Sequence, residues 1–320
     1  MYGSGMPTAM PRPRATPSQY QSRIPSNALS LAAPLRILAG MDVGNLFTVV
    51  LFVIFVIPVL AQRVLAARRA RALDALQRSR GTRVIALIHR QETVGFLGVP
   101  FFRFLDIDDS EAVLRAIRLT PETTPIDLLL HTPGGLVLAA EQIAYALRDH
   151  PAKVTVLVPH YAMSGGTLLA LAADEIRMDQ AAVLGPVDPQ LGDLPAAALV
   201  RVAAKKPLER VDDRTLILAD VAEKALRHMK QVVRDVVGAR LDGETVDTLA
   251  EELAGGHYTH DDPITASEAR ELGLPVEVGL PPEAYQVMEL FPQAGRRRPS
   301  VQYVPLPVPP ADGVRRPRGS

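Results

Sequence analysis

Cysteine is absent from the chain, and with it any disulfide framework or thiolate metal site. Tryptophan is missing too. There is no excess charge of either sign: 35 basic side chains face 35 acidic ones. A dedicated nucleic-acid binder needs clustered Lys and Arg over a whole domain, so nucleic acid is not an expected partner. No G-x-x-x-x-G-K-[ST] run occurs, which excludes an intrinsic P-loop ATPase. What remains is 320 residues, 48% of them hydrophobic, enough for one large domain or two small ones with a real core.

Charge is uneven along this neutral chain. Residues 1–40 carry four Arg and no acid, and residues 296–320 carry six Arg and one Asp. These ends hold 12 of the 28 prolines. They read as disordered tails, residues 1–44 and 293–320. Met41 stands directly before an apolar segment, so residues 1–40 are open to reading as an upstream extension from a misassigned start.

That segment, Leu46 to Ala61, is uncharged throughout. At about 1.5 Å per residue it covers about 24 Å, slightly less than the roughly 30 Å hydrocarbon core, so its flanks must contribute. Arg63 can snorkel, and Pro58 bends a spanning helix without ending it. A buried core helix and a cleaved signal peptide are the competing readings, but the positive charge comes after the apolar run instead of preceding it. The expectation is one transmembrane helix over 45–67 and a basic juxtamembrane helix over 68–82. Six Arg fall between Gln62 and Gly81, against Arg36 alone between Ser26 and Asn45. That imbalance places the chain beyond residue 62 in the cytoplasm, at the cell membrane. Absence of cysteine fits that compartment.

From Arg83 short β-rich runs alternate with helical ones. Strands are expected at Val84–Ile88, Ile126–His131, Val154–Pro159, Glu175–Met178 and Pro275–Val278, and helices at Ser110–Arg118, Leu136–Asp149 and Leu168–Ala173. That alternation implies βαβ units and a mostly parallel sheet, an α/β domain over 83–292. A longer helix is expected over Asp213–Val237. Its positions Leu218, Ala222, Ala225, Met229, Val232 and Val236 draw one apolar stripe, which buries against its own sheet or a neighbouring subunit.

Two segments place glycine directly after a strand. His131-Thr132-Pro133-Gly134-Gly135 ends one strand and opens a helix, and Met163-Ser164-Gly165-Gly166 repeats the device on the next. In an open parallel sheet both turns lie outside the carboxyl ends of the strands, where ligands bind. Ser164 at a helix start sits among free N–H groups that favour developing negative charge. That is the arrangement of an activated serine, with the Gly165 N–H behind it and an N–H of Gly134 or Gly135 across from it. Serine is also simply a good helix N-cap.

The elements H-T-P-G-G-L-V-L-A-A-E-Q-I-A and V-P-H-Y-A-M-S-G-G-T-L-L-A-L-A-A-D-E-I, followed by V-L-G-P-V-D-P-Q-L-G, resemble serine peptidases of the Clp/crotonase fold. The resemblance is greatest to the membrane-anchored serine dehydrogenase proteinases, relatives of signal peptide peptidase A and the NfeD proteases. It runs from about Asn45 to Pro292 and includes I-H-R-Q-E at Ile88–Glu92. It implies a Clp/crotonase-type βαβ superhelix, Ser164 as nucleophile, Gly135 and Gly165 as oxyanion donors, peptide or protein substrates, a homo-oligomer, and no cofactor or metal.

The base is less plain. Clp peptidases place a His a short way downstream of the serine; here Gly185–Gln190 contains Asp188 and no His. The related families use a Lys further along, just before a long helix, and Lys205 and Lys206 fall there. Lys206 is the favoured base, with Lys205 as alternate; such an amine must be neutral, so burial has to lower its pKa. Both also fit as solvated surface residues, and Lys224 and Lys230 are weaker candidates off the apolar stripe. His260, near the place of the Clp triad acid, and Asp188 are accessory candidates. His131 and His160 flank the glycine turns, and His131 is expected to be structural or substrate-lining. The expected function is a membrane-anchored serine endopeptidase with a Ser-Lys dyad. A catalytically silent membrane scaffold and a crotonase-like acyl-CoA enzyme stand as alternatives.

Overall fold

The computed structural model describes residues 42–89, 93–94, 100–101 and 104–291. The expected tails fall outside them apart from residues 42–44, as do Arg90, Gln91 and Glu92 of the I-H-R-Q-E stretch. Contacts divide the chain into two units, residues 1–63 and 64–320.

In the first unit the apolar run forms helix α1 (Val43–Leu51), then a π-helical turn at Phe52–Val56; helix α2 (Ile57–Arg80) begins here. Phe47, Phe52, Val53, Ile54 and Phe55 are exposed. Among the described residues no helix is long and apolar enough to cross a membrane. No single helix of that kind covers the span expected over 45–67. The wider π register separates the two α-helices, and α2 takes on Arg63, Arg68, Arg69 and Arg71 soon after its apolar start.

The second unit is built on a five-stranded sheet in sequential order, all pairs parallel: β1 (Arg83–Ile88), β2 (Ile126–His131), β3 (Val154–Val158), β4 (Glu175–Met178) and β5 (Val276–Val278). β2 and β3 are buried at every position, as strands covered on both faces must be, which explains their near-continuous apolar sequence. The two faces separate by the strand period. Leu128 and Leu130 point into the main core, while Leu129 and Leu157 pack with Leu76 of α2 and with Ala284 and Val287 of the C-terminal helix Pro282–Glu289. The end of α2 is pinned further by Arg80, whose guanidinium donates to the fully buried Asp127 at 2.7 Å.

The main face is covered by α3 (Ile107–Arg118), α4 (Val137–Arg148), α5 (Gly165–Leu171), the long α7 (Asp213–Val237) and α8 (Gly243–Ala254). α3 starts earlier than the expected Ser110 because Asp106 and Asp109 form a reciprocal capping box around its first turn. α7 has the expected bounds, and its stripe has two destinations. Met229, Val232 and Val236 enter the main core, while Ala222 joins a satellite cluster with Ala196 and Leu199 of α6 (Ala196–Lys205), a helix that the sequence pattern does not announce.

A small second sheet completes the site's framework. Ile264–Thr265 pairs antiparallel with Val183–Leu184, which pairs parallel with Tyr161–Ala162.

Candidate active site

The two glycine turns lie side by side at the carboxyl end of the sheet. Thr132 N–H donates to the Tyr161 carbonyl at 3.3 Å, and Met163 N–H donates to the Thr132 carbonyl at 3.0 Å, so the main chains of the turns are bonded together. Ser164 comes directly after, with φ 50° and ψ −117°, and is the one non-glycine residue with positive φ among the described residues. Such a conformation costs about 1–3 kcal/mol and persists only where the surroundings over-determine it. Its hydroxyl makes no cap bond to α5, so the helix-capping reading of this serine does not hold. The strained strand-to-helix turn is instead the kind that lifts a nucleophilic oxygen clear of its neighbours.

Glycine opposite Ser164 is a steric requirement. A Cβ on Gly134, where φ is +100°, would lie 2.8 Å from Ser164 Cβ, and one on Gly135 would collide with the backbone of Leu105. The Leu105 N–H donates to the Gly134 carbonyl at 2.7 Å, and the Leu136 N–H to the Leu105 carbonyl at 2.8 Å. These bonds use the groups on either side of the Gly135 N–H, which itself has no protein acceptor among the described residues. The Gly135 nitrogen stands 3.7 Å from where a Gly165 Cβ would be. Gly165 is the first residue of α5, where an N–H has no intrahelical partner. Two amide donors without helix or strand partners thus stand close together beside the serine, as an oxyanion site needs.

A cleft of about 210 Å³ opens over this point. Ser164, Gly135 and Gly165 line it together with Asp188 and His260, and Phe104, Val137, Leu168, Val187 and Met229 supply apolar wall. The Asp188–His260 pair arises from the small sheet. Asp188 lies four residues after Leu184 and His260 four before Ile264, so the antiparallel pairing of Leu184 with Ile264 gives the two segments equal lengths to reach each other beyond the end of the ladder. Asp188 is buried and accepts from His260 Nδ1 at 2.8 Å and from Gln190 Nε2 at 2.5 Å. With Nδ1 committed to the carboxylate, His260 keeps Nε2 for another partner. The hydrogen bond to Asp188 holds the imidazole pKa above its ordinary 6.5, against the opposing effect of burial.

The other candidate residues lie apart. Lys205 ends α6 and Lys206 caps it; both are exposed and neither lines the cleft. The burial that an amine base requires is absent from both in the single chain. Lys224 is ion-paired with Asp220, and Lys230 with Glu251 at 2.6 Å. His131 is fully buried, stacked on His160 with ring centroids 5.7 Å apart and tilted against Tyr161 at 4.2 Å, in agreement with a structural role. Sequence reasoning names Asp188 and His260 separately and misses their pairing. The available signal is their equal spacing from two short β-rich segments, a register inference that two-residue strands do not support before a structure exists.

A parallel α/β domain whose strained serine stands beside two such amide donors has the layout of a serine hydrolase. Comparison with known proteins agrees: the family described as ClpP-like SDH-type serine proteinase matches residues 36–316, and the chain belongs to it. Two relatives from Methanocaldococcus jannaschii are the uncharacterized proteins MJ1495 and MJ0137. The first is 50% identical over 261 residues, covering 82% of this chain and 89% of the relative. The second is 47% identical over 278 residues, covering 87% and 97%. Among solved structures, a mutant of the 1510-N membrane-bound stomatin-specific protease is 18% identical over 58% of this chain and 79% of its own, with TM-score 0.38. ClpP1 from Listeria monocytogenes is 12% identical over 65% and 96%, with TM-score 0.42.

Proposed function

We propose that the chain is a serine endopeptidase whose nucleophile is Ser164 and whose general base is His260, oriented by Asp188. The observation that carries this reading is the strained Ser164 standing in one cleft with the Gly135 and Gly165 amides and the Asp188–His260 pair. Ser164 Oγ attacks the peptide carbonyl carbon while its proton passes to His260 Nε2. The carbonyl oxygen takes the negative charge and is held by the Gly135 and Gly165 N–H groups. His260 then gives the proton to the leaving amine as the C–N bond breaks, and water hydrolyses the acyl-enzyme by the same route. Lys206 as base remains the competing assignment; it requires a neighbouring subunit of a homo-oligomer to bring the amine to the cleft.

The exposed apolar side chains of 47–60 support attachment to the cell membrane, and the arginines after them support a cytoplasmic catalytic domain. Reporter fusions test the orientation: alkaline phosphatase activity at the C-terminus overturns it.

A fluorophosphonate probe tests the chemistry. Wild-type protein is expected to be labelled and Ser164→Ala not. Failure of the wild type to react under several conditions sinks the peptidase reading and leaves the catalytically silent scaffold in its place.

A further inference from the structure

Beside the oxyanion turn, among residues that do not line the cleft, runs a chain of hydrogen bonds in which the catalytic step as written has no part. The main chain of β1 continues one residue past its end: His89 N–H donates to the His131 carbonyl at 2.7 Å, which carries the His89 side chain under the Thr132–Gly135 turn. The ring is buried, 3% exposed. Its Nδ1 lies 2.8 Å from Thr132 Oγ1 and its Nε2 lies 3.1 Å from Asp109 Oδ2. Thr132 Oγ1 in turn accepts from the Gly134 N–H at 3.2 Å.

The direction of these bonds is set by the donors present. A carboxylate only accepts, so Nε2 carries the hydrogen toward Asp109; a neutral imidazole then presents Nδ1 as an acceptor, and Thr132 fills it with its hydroxyl hydrogen. That leaves a Thr132 lone pair to receive the Gly134 N–H. With the imidazole neutral, the bonds run one way, from Gly134 through Thr132 and His89 to Asp109. Asp109 is itself fixed, because its Oδ2 also accepts the Asp106 N–H in the capping box of α3. The same segment grips the turn a second time through the Leu105 bonds to Gly134 and Leu136.

We propose that His89 is a positioning residue for the oxyanion hole. With Thr132 and Asp109 it anchors the Pro133–Gly134 peptide, and Leu105 holds the Gly134 carbonyl that follows, so the network sets the approach of the chain to the Gly135 N–H and hence its aim at the developing oxyanion. This inference rests on the serine peptidase reading. A buried imidazole joined to a buried hydroxyl is costly wherever an apolar pair of similar size would pack, and here the network ends on the one turn whose amide must be aimed.

The test uses the full chain and a chromogenic peptide substrate, with fluorophosphonate labelling as the control for the underlying reading. In His89→Leu and Thr132→Val, kcat is expected to fall about 10- to 100-fold with KM within about twofold, since displacing an aligned donor weakens only transition-state contacts. The affinity of a reversible peptide aldehyde, whose hemiacetal oxygen occupies the oxyanion hole, should weaken by a similar factor. His89→Asn, which places an acceptor oxygen near the position of Nδ1, and Thr132→Ser, which keeps the hydroxyl, are expected to recover most of the loss. Thermal denaturation identifies any variant that fails to fold, and the two conservative variants then decide alone. Wild type that labels, with folded variants unchanged in kcat and aldehyde affinity, overturns the inference and leaves the peptidase reading standing. Loss of kcat and KM together, with no recovery in the conservative variants, also overturns it. Wild type that takes no label overturns both.

Discussion

The carboxyl edge of the sheet and the α6–α7 hairpin differ in how their positions are fixed. At the sheet edge, main-chain bonds join the two glycine turns to each other and to Leu105, and these bonds hold the surroundings of a strained serine. The hairpin buries little beyond Ala196, Leu199 and Ala222 in its own cluster, and leaves Leu208 and Ile217 68% and 64% exposed. Lys205 and Lys206 belong to this second region. Preorganised catalysis draws on groups that are already held in place, so the difference favours His260, tied to buried Asp188, over an amine on the surface of a hairpin.

The largest expected effect breaks that comparison directly. His260→Ala and Asp188→Asn should each lower kcat/KM by about three to four orders of magnitude, the scale seen when a triad member is removed, while Lys206→Ala and Lys205→Ala stay within about twofold. The opposite ranking would transfer the base to the hairpin. A pH profile sharpens the result. His260 must be neutral to accept a proton, and Asp188 raises its pKa, so the acid limb of kcat/KM should lie above pH 6.5. In Asp188→Asn the residual activity should show that limb moved to lower pH. The same shift has the opposite sense for stability: the pair's contribution is complete below pH 6.5 and is lost as pH rises through the raised pKa.

A smaller effect concerns the rigidity of the edge. Alanine at Gly134 places a Cβ 2.8 Å from Ser164 Cβ and demands positive φ, so Gly134→Ala should cost about 1–3 kcal/mol in chemical denaturation. It should also suppress labelling of Ser164. A variant with unaltered stability and labelling would mean the turns are not locked together as described.

This contrast also governs what can be read from the sequence. Largely apolar runs at Ile126–His131 and Val154–Val158 and the glycines after them are local signals, and they locate β2, β3 and both turns closely. The proposed nucleophile Ser164 is legible for the same reason, because its environment is made by its immediate neighbours. Asp188 and His260 meet through pairing of two-residue strands distant in the sequence, and so small a ladder has no periodicity of its own. His89 escapes such a reading because nothing local distinguishes a buried, bonded histidine from any other. The Lys206 assignment rests on spacing and resemblance, which carry no information on whether the end of α6 faces the cleft.

The smallest effect on the single chain tests the hairpin. Two large apolar side chains left in water cost little in an isolated protein, since scattered exposed apolar groups are ordinary, but in an assembly they offer apolar area to a second copy of this chain. Leu208→Ser and Ile217→Ser should therefore change thermal stability at low concentration by no more than about 0.5 kcal/mol, as expected for exposed positions. If the hairpin is where subunits meet, the same substitutions should lower the mass measured by light scattering at higher concentration. They should do so without altering the rate at which fluorophosphonate labels Ser164, because His260 and Asp188 come from the same chain as the serine. A fall in labelling that tracks the fall in mass would show instead that a neighbouring subunit completes the site, and the hairpin lysines would regain their claim.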